Sequence, residues 1–135
     1  MRVVIDCNIF VSCISVKSKY HPILLALSSG KFELAISTEI FLEYQEKITE
    51  KYSATTAYNF IAALENSKFV IPFYPYYNWN LIEQDSDDYK YADIYIAANA
   101  DYLITEDRHF KILQQLKFPL IKVIGIDSFL SLLEK

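Results

Sequence analysis

Apolar and polar positions alternate along this chain in two rhythms. Arg2-Val3-Val4-Ile5 is a short unbroken apolar run with Asp6 at its end, the pattern of a strand covered on both faces. His21-Pro22 opens a helix-period stretch that Gly30 stops. Glu33–Ser37 reads as a second strand. Ser37 then caps a helix through about Lys51, and Ser53 caps another through about Asn66. Phe69–Phe73 is a short extended run ended by Pro72 and Pro75. Ser86 or Asp87 starts a helix to about Asn99. Tyr102–Thr105 is a strand, Asp107–Leu116 a helix and Lys122–Ile126 a last strand, and Asp127 caps a terminal helix. Strands that are buried rather than alternating, each followed by helix, predict an α/β protein with a mainly parallel central sheet.

Composition narrows the class. A chain of 135 residues, 53% hydrophobic and 22% charged, has the length and apolar content of one globular domain, expected to span 1–135. Two cysteines make no disulfide scaffold. The longest apolar run, Phe69–Tyr77, holds two prolines and is too short to span a membrane. Asp6 interrupts the first apolar run too early for a signal peptide, so a cytoplasmic protein is expected. Two glycines exclude a glycine-rich phosphate loop.

Charge is unevenly placed. The net charge is −4, yet residues 83–107 carry eight carboxylates against the single Lys90, leaving the rest of the chain mildly basic. An acidic quarter is either a solvated face or a cation site that needs its carboxylates together. In an open parallel sheet, ligands bind outside the carboxyl ends of the strands. Asp6 follows the first strand and Glu106 and Asp107 follow Tyr102–Thr105, so neighbouring strands would bring these acids to one edge. Each has a blander reading: Asp107 as a helix cap, Asp6-Cys7-Asn8 as a strand-to-helix turn, and Glu43 as a surface partner of Lys47 four residues on. Asp93 lies in a helix apolar nearly all round, where a charge must be paired, by Lys90 three residues earlier or by a metal.

Taken in order, these motifs resemble the PIN-domain nucleases. The resemblance rests on D-x-N after the first strand, an acid in the following long helix, an acid before Ile94-Tyr95-Ile96-Ala97-Ala98, and Thr105-Glu106-Asp107 after a late strand. The stretches Asp85–Asp93 and Ala100–Asp107 are especially similar to the branch described as toxin components of toxin–antitoxin systems, related to VapC-type toxins. The resemblance implies a three-layer α/β/α sandwich and Mg²⁺- or Mn²⁺-dependent cleavage of RNA. By it, Asp6, Glu43, Asp93 and Asp107 are the catalytic acids, and Asp6, Asp93 and Asp107 share the tighter metal. Asn8, Asp88 and Thr105 are auxiliary. Cys7 stands where threonine is commoner, and Glu106 is an extra carboxylate. Carboxylate and water ligands suit Mg²⁺ or Mn²⁺ better than zinc.

Other features are weaker. Cys7 and Cys13 lack zinc-ligand spacing and read as buried thiols. His109 reads as a surface residue near Asp107. Lys17, Lys19 and His21 form a basic rim for an RNA backbone. Phe73, Tyr74, Tyr76, Tyr77 and Trp79 are a base-stacking platform, a self-packed loop or a dimer contact. With 16% aromatic residues, a homodimer is expected. An RNA substrate and a cognate antitoxin are the other partners implied. Two rival classes remain. A haloacid-dehalogenase-like hydrolase would use Asp6 as nucleophile, but Asn8 cannot serve as its acid. A non-catalytic PIN-like module binding protein or RNA would need no active acids.

Overall fold

Five parallel strands run side by side in the order β3-β2-β1-β4-β5, in a computed structural model that describes residues 1–74, 89–115 and 120–135. The strands are β1 (Arg2–Ile5), β2 (Glu33–Ile36), β3 (Val70–Pro72), β4 (Tyr102–Ile104) and β5 (Val123–Ile124). The helices are α1 (Cys7–Cys13), α2 (His21–Ser28), α3 (Thr38–Lys51), α4 (Ala54–Glu65), α5 (Tyr89–Ala98) and α6 (Ile126–Leu133), with a 3₁₀ stretch at Arg108–Gln115. Val3, Val4 and Ile5 are completely buried, which requires cover on both faces of β1 and gives the expected three-layer α/β/α architecture. No described helix is long and apolar enough to cross a membrane.

Local chemistry accounts for most boundaries. Ser37 accepts from the Ile40 N–H and Ser53 from the Thr56 N–H, each satisfying an orphan donor of the helix it starts. Pro22 occupies the first turn of α2, where its missing N–H costs nothing. Ile40, Tyr44 and Ile48 recur every fourth residue along α3 and form its buried stripe. Gly30, at φ +79°, turns the chain from α2 toward β2. A Cβ there would meet Phe69 Cζ at 2.5 Å. Gly30→Ala therefore combines left-handed strain with a displaced ring. Chemical denaturation should show a loss of about 1–3 kcal/mol, and an unchanged midpoint would contradict this packing.

Three details differ from the sequence reading. The turn expected at Asp6-Cys7-Asn8 opens directly into a helix, Cys7–Cys13, and the helix expected over Asp107–Leu116 is the 3₁₀ stretch Arg108–Gln115. Asp127, read as the cap of the terminal helix, lies inside its first turn, and Gly125 takes the cap position. The capping acceptor comes from 20 residues upstream: Glu106 Oε1 receives the Ile126 N–H at 2.6 Å. The carboxylate that seemed surplus beside Asp107 thus fastens α6 to the end of β4.

Candidate functional site

The chain leaves β1 toward β2 on one side and later inserts β4 on the other, so the strand order reverses between β1 and β4. Such a switch point opens a crevice at the carboxyl ends of the two strands. Asp6 lies there, directly after β1, and its N–H bonds the Ile104 carbonyl of β4 at 3.0 Å.

Asp6 is 5% exposed and occupies the position before α1, where the Asn8 N–H of the first turn draws on its carboxylate without closing a full capping hydrogen bond. Its Oδ2 accepts from Thr105 Oγ1 at 2.8 Å. The same Thr105 oxygen accepts the Asp107 N–H at 3.0 Å, so one hydroxyl ties the ends of β1 and β4 together. Burial pushes the Asp6 carboxyl up, opposed by the Thr105 hydrogen bond and reinforced by the charge of Glu43.

Glu43 reaches this edge from α3. Among the described residues, Asp6, Cys7 and Glu43 offer ligand atoms within 4.8 Å of one another. Burial works to raise the Glu43 carboxyl. Hydrogen bonds from Lys90, Tyr91 and Cys7 outweigh it and hold the group below the ordinary carboxylate range. Lys90 Nζ stands 2.6 Å from Oε2, and the Tyr91 hydroxyl donates to Oε1. That hydroxyl also accepts the Cys7 N–H at 3.1 Å. The Tyr44 hydroxyl donates to the Ile5 carbonyl, fixing α3 against the end of β1. Burial pushes the Cys7 thiol far up, so it stays protonated and adds no charge to the group.

Of the expected trio Asp6, Asp93 and Asp107, only Asp6 belongs to the group of ligand atoms within 4.8 Å, which it forms with Cys7 and Glu43. Asp93, 5% exposed, lines an adjoining cleft of about 220 Å³ with Ser37, Thr38, Glu39, Phe73, Tyr74 and Lys90. Asp107 is joined to Asp6 through Thr105. Its Oδ1 also accepts the His109 N–H at 2.9 Å, so the capping reading holds for that oxygen. Asn8 is exposed in the first turn of α1. Asp88, Tyr76, Tyr77 and Trp79 lie outside the described residues. Lys47 pairs with Glu50 and not with Glu43, which leaves Glu43 to the interior side of α3.

Lys90, Tyr91 and Tyr44 were not legible as site residues. Their one signal was an unusually tyrosine-rich buried helix beside the acids, and a buried tyrosine must place its hydroxyl somewhere.

Thr105→Val tests the hydroxyl bridge. It keeps the shape but strips a buried carboxylate of a donor and the Asp107 N–H of an acceptor. A loss of about 1–3 kcal/mol is expected in thermal or chemical denaturation, with Thr105→Ser close to wild type. Equal losses for both variants would assign the effect to packing.

An oxygen-rich pair of carboxylates, with the thiol kept protonated, suits a hard divalent cation. No curated protein sequence matches the chain. In fold it is similar to VapBC2 from Rickettsia felis, known from a crystal structure bound to a DNA fragment from their promoter. The TM-score is 0.64 at 21% identity, over 93% of this chain and 98% of that one. The family model of the PIN domain matches residues 2–109, from β1 through the acids after β4. On that match the chain belongs to the PIN-domain family.

Proposed function

We propose that the protein is a divalent-cation-dependent ribonuclease and the toxin of a toxin–antitoxin pair. The observation that carries the reading is the placement of Asp6 and Glu43, with oxygens within 4.8 Å of one another at the switch point of a parallel sheet. Asp6 and Glu43 hold the cation, Mg²⁺ or Mn²⁺. Asp107, linked through Thr105, and Asp93, on the adjoining cleft, complete the catalytic acids, with Asn8 and Asp88 as auxiliaries. Thr105 orients Asp6, and the Tyr91 hydroxyl holds one oxygen of Glu43. A bound divalent cation supplies the charge that activates water and stabilises a departing alkoxide. The acids therefore need no nucleophilic side chain among them. The antitoxin partner follows from the resemblance to the VapC-type branch, and the similarity in fold to VapBC2 supports it. A homodimer in the cytoplasm is the expected setting.

One observation favours a second reading: both Glu43 oxygens are already engaged by the chain's own donors, as they would be in a non-catalytic PIN-like binding module. End-labelled single-stranded RNA separates the two. Cleavage with Mn²⁺ that stops in EDTA is expected of the nuclease. Intact RNA under both conditions, at protein concentrations that bind it, would leave the binding module.

A further inference from the structure

Lys90 is the sole base among residues 83–107, and the structure pairs it with Glu43 and sets it in one cleft with Asp93. It stands on the first turn of α5, with Asp93 one turn later on the same face. Its side chain is 13% exposed and its partner Glu43 17%. The ammonium also lies 5.8 Å from the centre of the Tyr91 ring. An exposed lysine that only balanced a surface glutamate would stay hydrated and mobile. This one is held between Glu43 and the ring, and is the one cation of a cleft whose other described lining residues are Ser37, Thr38, Glu39, Phe73, Tyr74 and Asp93.

A nucleic acid approaching this edge meets the carboxylates of Asp6, Glu43, Asp93 and Asp107. Its backbone is itself anionic, so the approach is repulsive wherever no cation stands. An ammonium has three donors, and Glu43 Oε2 takes one. We propose that Lys90 engages a backbone phosphate of the substrate RNA in this cleft, bridging it to Glu43. The assignment rests on the ribonuclease reading above. The strand then lies over the α3–α5 cleft, with its phosphate one side chain away from the Asp6–Glu43 pair.

The test compares wild type with Lys90→Met, which keeps the buried stem, and Lys90→Arg, which keeps the charge. Binding of a single-stranded RNA oligonucleotide is measured across a salt series, with Ca²⁺ replacing Mn²⁺ and the strand checked to be intact. Loss of one phosphate contact lowers the slope of log K against log salt by about 0.7. Lys90→Met should show that drop, bind roughly tenfold more weakly at low salt, and cleave at least about tenfold more slowly with Mn²⁺. Lys90→Arg should restore the slope. The thermal upshift with Mn²⁺ should persist in Lys90→Met, since removing a competing cation from Glu43 does not weaken the site for metal. A Lys90→Met protein that binds with the wild-type slope overturns the assignment and leaves the nuclease reading intact. A Lys90→Met protein that has lost its Mn²⁺ upshift as well makes Lys90 a support for Glu43 and also overturns it. Wild-type protein that neither binds nor cuts RNA overturns the nuclease reading, and this assignment with it.

Discussion

Asp6→Asn is expected to lower RNA cleavage by about three orders of magnitude, the scale of losing several kcal/mol of charge stabilisation at the reacting phosphate. The same variant should be as stable as wild type in EDTA, or more so. Asp6 is buried, its carboxyl is pushed up by that burial, and Glu43 stands beside it with a charge of the same sign. The amide keeps the shape and can still accept from Thr105, but it carries no charge to desolvate. The pH dependence follows from the sign of the shift. A carboxyl whose folded pKa is raised favours the folded state when protonated. Its contribution is full below the ordinary aspartate range and is lost as pH rises through the folded value. Glu43 is shifted the other way, and its contribution is present above the ordinary glutamate range and lost as pH falls. Asp6→Asn removes only the first. Its melting temperature should therefore lack the gain that wild type shows on mild acidification just above the ordinary aspartate range. If Asp6 were a structural cap, the amide or an alanine would instead cost about 0.5–2 kcal/mol with metal response retained. Melting curves across pH, in EDTA and in Mn²⁺, read both signatures.

Phe10→Ala should give the largest loss of stability, about 3–5 kcal/mol, read as a fall in melting temperature of roughly 10–20 °C. The ring is fully buried. It meets Tyr44 edge-on at 5.0 Å and Phe60 at 5.2 Å between centroids, so it joins α1, α3 and α4. It offers no ligand atom to the site, yet it backs the tyrosine whose hydroxyl fastens α3 to Ile5. At a temperature where the variant is folded, cleavage should fall far less than in Asp6→Asn. Phe10→Leu, which fills most of the volume, should lose well under half as much stability. A shift of only a few degrees for Phe10→Ala would mean that these three helices are not packed as one wall.

Much of the fold could be read from the chain because its local signals agree with its tertiary structure. Serines at 37 and 53 cap the helices they precede, Pro22 and Gly30 bracket α2, and the apolar run before Asp6 is a buried central strand. Helix α1 escaped notice because it is only seven residues long: its polar face is Asn8 and Ser12 alone, less than the two full turns over which a helical rhythm can be told from a loop. The cap of α6 was misassigned to Asp127 because its acceptor, Glu106, lies far away in sequence and arrives only through the sheet. The candidate site divides in the same way. The acids at strand ends were visible, since β1 and β4 are neighbours. That Glu43 joins Asp6 and Cys7 in one group of ligand atoms depends on the rotation of α3. That rotation is set by Tyr44 and the Ile40–Ile48 stripe against the sheet. Lys90 was read as a partner for Asp93 on its own helix, and its ion pair with Glu43 crosses from α5 to α3.

The central claim is that Asp6 and Glu43 hold a divalent cation between them. Crystals of the wild-type protein grown or soaked with Mn²⁺, with anomalous diffraction measured at a manganese-sensitive wavelength, test it directly. A single strong anomalous peak within about 2.0–2.4 Å of an Asp6 oxygen, with Glu43 bound directly or through one water, is the expected result. A map with no peak at the β1–β4 crevice, or with the ion held elsewhere while Glu43 keeps both Lys90 and Tyr91, would contradict it.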